Sequence, residues 1–189
     1  SRGQFELRRF SVLNPRVLVV GASTGGPQAL AALLPRIGPR LKDVPVVVVL
    51  HMPTNFTDVV TGQIAQLTGL PTTAAVNGEE LRPGRIYFAP GDTHLKVVRL
   101  GPFYALAHFD GPPENFCKPA VDVLFRSAAD AFGPGALGVV QRRPQVPHHF
   151  NGEGVHLSVV HRDPRDSVLH SKLVLLLIVV LPGKLVWFM

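Results

Sequence analysis

Cysteine is nearly absent: Cys117 is the only one among 189 residues, so no disulfide can form within the chain. That suits a reducing compartment. No run of lysine or arginine occurs. The net charge of +6 is diffuse, with an excess of three positive charges in residues 1–140 and three in 141–189. No aromatic platform accompanies it, so a nucleic-acid partner is not expected. No apolar run reaches the ~18 residues of a spanning helix. The longest, Leu173 to Leu181, stops at Pro182-Gly183, so no membrane insertion is expected. The N-terminus has no apolar signal core, and it has no initiator Met, which suggests a fragment.

Hydrophobic residues make up 46% of the chain, enough for one domain with a buried core. Eighteen glycines and eighteen prolines imply many turns. Residues 1–15 read as a linker. Apolar runs predict buried strands at Arg16–Val20, Pro45–Leu50 and Ala136–Val140. Helices are predicted at Pro27–Ile37, Thr57–Leu67 and Pro119–Phe132. Thr72–Val76 and Arg85–Ala89 read as strands around a turn at Asn77-Gly78. His94–Leu100 and Phe103–His108 flank Gly101-Pro102 and read as a hairpin. The expected fold class is α/β: a mostly parallel sheet with helices on both faces and an antiparallel hairpin.

In such a fold, reactive groups gather beyond the carboxyl ends of the strands. Ser23 follows the first strand and His51 the second. The stretch Gly21-Ala22-Ser23-Thr24-Gly25-Gly26 admits two chemistries. As a dinucleotide cradle it fails. Pro27 stands where a third glycine belongs, His51-Met52-Pro53 stands where a ribose-binding residue belongs, and no Gly-Lys-Ser/Thr loop occurs. As a nucleophile turn it fits G-x-S-x-G. A sharp strand-to-helix turn lifts serine out of the sheet, glycines remove clashes, and a histidine takes the hydroxyl proton. The order serine, then histidine, departs from the α/β-hydrolase order. Taken singly, each residue also reads as a turn former or a structural hydrogen-bonder.

Four blocks in order resemble the catalytic domain of the CheB-type chemotaxis protein-glutamate methylesterases. They are Gly21 to Pro27; His51-Met52-Pro53 with Phe56-Thr57; Asn77 to Leu95; and Pro119 to Ser127, where Ala120 replaces the family's serine. The resemblance covers about Arg16 to Val140. It implies that Ser23 attacks a glutamate γ-methyl ester on the cytoplasmic domain of a chemoreceptor, with His51 as general base and Thr24 as an orienting residue. It also implies deamidation of receptor glutamines, and neither a metal nor an organic cofactor. The receiver domain that precedes this domain in the family is not in the chain. Phosphorylation control within the chain is therefore not expected, and residues 1–15 read as a linker remnant.

The resemblance breaks after Val140. The family continues into Leu-Thr-Gly-Met-Gly-x-Asp-Gly, which carries the triad aspartate; here Gln141-Arg142-Arg143-Pro144 follows, with Pro147 near the expected acid. No triad acid is found, and Asp163 or Asp166 would substitute only by accident. The abruptness suggests an out-of-frame or replaced segment over 141–189. That segment holds five of the eight histidines, but in no recognised zinc spacing. Leu173 to Leu181 reads as a core strand, an anchor or an aggregation-prone stretch. Cys117 reads as structural and Asp122 as a helix-start residue; His94 and His108 have no assigned role. Three readings stay open: an esterase of this type, an inactive receptor-binding module, and a nonfunctional truncated product.

Overall fold

A computed structural model of the chain describes residues 14–22, 25–52 and 56–142, together with the strand backbones at 155–160, 176–181 and 184–185. The first strand, β1 (Val17–Ala22), is buried along its whole length, as is β2 (Val46–Leu50). The two run parallel, with Leu18 opposite Val46 and Ala22 opposite Leu50. Further parallel neighbours are β3 (Thr72–Ala74), β4 (Ile86–Phe88) and β7 (Ala136–Arg142), giving the order β7-β1-β2-β4-β3. Strands without a polar face need cover on both sides.

Alternation along β1 shows what supplies the cover. Leu18, Val20 and Ala22 point into a cluster with Leu30 and Leu34 of α1 (Gly26–Leu41) and Val60 and Ile64 of α2 (Thr57–Thr68). Val17 and Val19 point the other way, into a cluster with Leu124, Ala128 and Phe132 of α3 (Val121–Phe132). Leu95 and Leu106 join this second layer from a hairpin of β5 (His94–Leu100) and β6 (Phe103–Phe109). Helices therefore lie on both faces, as expected.

Three local expectations shift. Helix α1 continues past Ile37 to Leu41 although Pro35 and Pro39 lie inside it. Each proline removes a helix N–H, but burial of Leu34 and Leu41 on the sheet outweighs that loss. β3 and β4 are parallel neighbours, not two arms of one turn. The chain between them, with Asn77-Gly78, docks on the hairpin instead: Gly78 N–H donates to the Leu106 carbonyl at 2.7 Å and Leu81 N–H to the Tyr104 carbonyl at 2.8 Å. The hairpin is thereby its own two-stranded sheet, attached through that loop rather than paired into the main one.

Beyond β7 the sheet continues antiparallel through β8 (Val155–Val160), β9 (Leu176–Leu181) and β10 (Lys184–Leu185). The apolar run near the C-terminus thus includes a strand with a neighbour on each side. No helix among the described residues is long and apolar enough to cross a membrane.

Candidate active site

The register of β1 and β2 sets the site. Ala22 and Leu50 are the last paired residues of the two strands, so Ser23 and His51 are the next residue on each. The His51 N–H donates to the Ala22 carbonyl at 3.4 Å, which carries the ladder one step past the strand ends. The His51 side chain is exposed. Ser23 and Thr24 lie outside the described residues. Their anchors on either side are described: Ala22 ends β1, and Gly25 is the N-cap of α1.

The glycines around Ser23 have separate physical reasons. Gly25 has φ of 81°, in the left-handed region that side chains disfavour. A Cβ on Gly26 would stand 2.6 Å from Leu50 Cδ2 and 2.9 Å from the Ala22 Cβ, so only glycine lets α1 begin this close to both strands. A Cβ on Gly21 would stand 2.6 Å from both methyl carbons of Val121, at the start of α3. The helix on the opposite face therefore also reaches this edge.

Neither His94 nor His108 faces reactive chemistry. His94 is fully buried. Its Nδ1 accepts the Ala120 N–H at 3.0 Å, so Nε2 carries the proton and donates to the Pro112 carbonyl at 2.9 Å. This one ring fixes the segment that leads into α3. His108 Nε2 lies 3.0 Å from the Ala75 carbonyl, tying the hairpin to the loop before β4. Asp122 sits in the first turn of α3, as expected, and accepts a hydrogen bond from Asn115 Nδ2 at 3.2 Å. Cys117 is partly buried.

The segment 110–120 is the part of this edge that sequence patterns did not disclose. Lys118 pairs with Asp110, and that contact holds the Asp110 carboxyl below the usual carboxylate range. Arg126 on α3 donates two hydrogen bonds to Glu114, both at 2.6 Å, and lowers the Glu114 carboxyl likewise. Its one sequence signal was the block beginning at Pro119.

The triad acid would arrive from β7, whose Gln141 lies opposite Ala22. The position near Pro147 lies outside the described residues, as do Asp163 and Asp166. Among the described residues, no group of three or more His, Cys, Asp or Glu side chains could hold a metal ion.

A parallel sheet covered by helices on both faces makes this an α/β domain with an open edge beyond its strand ends. Residues 18–141 match the profile of the CheB methylesterase family, and the chain belongs to that family. It is 49% identical over 138 residues to a protein-glutamate methylesterase/protein-glutamine glutaminase of group 2 operon from Bradyrhizobium diazoefficiens, covering 73% of this chain and 35% of the relative. A protein-glutamate methylesterase/protein-glutamine glutaminase from Rhodopseudomonas palustris is 47% identical over 133 residues, covering 70% of this chain and 34% of the relative. The chain thus spans about a third of the length of these curated relatives. The same alignment with protein-glutamate methylesterase/protein-glutamine glutaminase 1 of Paramagnetospirillum magneticum is 39% identical over 170 residues, covering 88% of this chain and 45% of the relative. The crystal structure of the Thermotoga maritima CheB methylesterase catalytic domain superposes with a TM-score of 0.64 at 32% identity, covering 68% of this chain and 67% of that one.

Proposed function

We propose that the chain is the catalytic part of a protein-glutamate methylesterase and glutamine deamidase acting on the cytoplasmic domain of methyl-accepting chemoreceptors. The observation that carries this is the parallel register of Ala22 with Leu50, with Ser23 and His51 next in line. Ser23 Oγ attacks the γ-carbonyl of the esterified glutamate while His51 takes its proton. The tetrahedral intermediate collapses, the C–O bond to the methoxy group breaks, and His51 returns the proton so that methanol leaves. Water, deprotonated by His51, then cleaves the acyl-enzyme and releases glutamate and free Ser23. Thr24 orients the site. A glutamine substrate follows the same route with ammonia as the leaving group. The reading calls for no cofactor and places the protein in the cytoplasm.

A second reading has its own support: the family match ends at residue 141, where the acid-bearing segment should begin. We propose a layout of linker remnant (1–15), incomplete catalytic domain (16–140) and replaced or out-of-frame segment (141–189). Without its acid the histidine loses orientation, and in serine proteases removing that carboxylate costs about 10⁴ in rate. The domain would then bind receptor without turnover. The P. magneticum alignment counts against an out-of-frame tail: residues up to 141 amount to only about three quarters of the 189, less than its 88% coverage. The coding sequence near codon 140 decides: an alternative frame encoding Gly-Met-Gly-x-Asp-Gly establishes a shift, and its absence from both frames rejects one.

Methanol release from methylated receptor membranes tests the activity, with Ser23→Ala as the blank. Release that disappears in Ser23→Ala and in His51→Ala supports an assembled esterase. Release equal to the blank leaves the binding module and the nonfunctional product, which a pull-down with receptor cytoplasmic fragments separates.

A further inference from the structure

The turn at 114–117 carries a residue that its own geometry disfavours. Glu114 and Cys117 exchange two backbone hydrogen bonds, at 3.1 and 3.0 Å, with Asn115 and Phe116 between them. Both central residues have positive φ, 51° and 63°. That is the mark of a type I′ turn, which favours Asn followed by Gly. Asn115 obeys the preference and Phe116 does not. A bulky side chain at positive φ is strained, and here the strain has no return inside the fold, because Phe116 is 100% exposed. Backbone strain held where it contributes nothing to packing points to a contact made with something else.

The turn is also tied to its surroundings. His94 clamps Pro112 and Ala120, and Arg126 holds Glu114. Asn115 bonds to Asp122, beside Val121, and Val121 packs on Gly21, two residues before Ser23. Phe116 therefore adjoins a chain of contacts that runs through the start of α3 to Gly21, near the carboxyl end of β1. Glu114 and Lys118, the ionic groups of the turn, are paired with Arg126 and Asp110. What the turn offers an arriving macromolecule is an apolar ring on a fixed backbone, the preorganised kind of contact that anchors an interface.

We propose that Phe116 is a docking residue for the receptor segment that carries the esterified glutamate, its ring packing on an apolar side chain of that segment beside the scissile ester. The inference rests on the methylesterase reading. It concerns binding, so it can be tested whether or not the chain turns over. The measurement is the affinity of the full chain for a purified, methylated receptor cytoplasmic fragment, alongside each variant's melting temperature. Phe116→Ala is expected to weaken binding roughly tenfold to a hundredfold, while Phe116→Leu keeps most of it. Phe116→Gly is expected to weaken binding as Phe116→Ala does and yet to raise the melting temperature, because glycine relieves the strained φ.

Affinity unchanged in Phe116→Ala and Phe116→Gly overturns the inference and leaves the methylesterase reading intact. No binding by the unsubstituted chain overturns that reading, and the inference with it. A melting temperature that falls in Phe116→Gly also overturns the inference, since the ring would then be a structural prop.

Discussion

Val121 packs directly on the backbone of Gly21, across the face of the sheet opposite α1; a Cβ built on the glycine would lie 2.6 Å from Val121 Cγ1 and 2.6 Å from Cγ2. This contact joins the start of α3 to the strand that delivers Ser23. Val121 is β-branched and has little rotamer freedom in a helix, so it cannot swing aside. Gly21→Ala is expected to destabilise the fold by about 1–3 kcal/mol and to lower activity beyond what lost stability explains. Adding Val121→Ala should restore much of both. A double-mutant cycle by urea denaturation checks this; additive single effects would show that the two residues are not coupled.

His94 provides a second test, of scaffold rather than chemistry. Its ring satisfies the Ala120 N–H and the Pro112 carbonyl in a fully buried position. His94→Leu keeps the volume and abandons both groups, at an expected cost of about 2–4 kcal/mol. His108→Leu loses one bond at an exposed position and is expected to cost about 1 kcal/mol or less. Chemical denaturation of the two variants side by side should show the larger shift in His94→Leu. The reverse order would mean that the clamp does not hold the segment before α3.

Much of this fold was legible because its signals are local. Val46 to Leu50 is an unbroken apolar run because both faces of the strand are covered, and Gly101-Pro102 marked the hairpin. Ser23 and His51 stood out because each ends such a run. The segment 110–120 was not legible, because its fastening is distant: the Ala120 N–H finds its partner 26 residues away, on His94. Positive φ at Phe116 has no sequence signature, since phenylalanine is a residue that avoids it. The length of α1 was misjudged for the opposite reason. The predicted helix ended at Ile37, two residues before Pro39, and only the packing of Leu34 and Leu41 on the sheet shows why it runs on.

Glu114 gives a prediction for acid. The Arg126 hydrogen bonds lower its carboxyl in the folded state. A carboxyl lowered on folding stabilises above its unfolded value, about 4.3 for glutamate, and that stability is lost as pH falls through the folded value. The side chains of Arg126 and Glu114 are 57% and 34% exposed, so solvent screens the pair. Glu114→Gln is expected to cost about 1 kcal/mol or less at pH 7. The difference from the unsubstituted chain should vanish at pH values well below 4.3. Thermal melts across that range test it; a difference that persists in acid would assign the effect to packing rather than charge.

Tyr87 sits at the opposite end of the pH scale. Its ring is buried in the layer beneath the hairpin. Its hydroxyl accepts the Arg82 N–H at 3.0 Å and donates to the Glu80 carbonyl at 3.2 Å. Burial raises its pKa above the ordinary tyrosine value, an effect that the Arg82 N–H partly offsets. The folded chain therefore keeps the phenol proton to higher pH than the unfolded chain does. Stability from this group is full below the unfolded value, about 10, and declines as pH rises through the folded one. Tyr87→Phe removes both the hydrogen bonds and the titration. It is expected to be about 1–2 kcal/mol less stable at pH 7, with that gap narrowing above pH 10. Urea denaturation at neutral and alkaline pH measures the gap directly. A constant gap would mean that the phenol titrates alike in both states, and that burial at this position does not disfavour the phenolate.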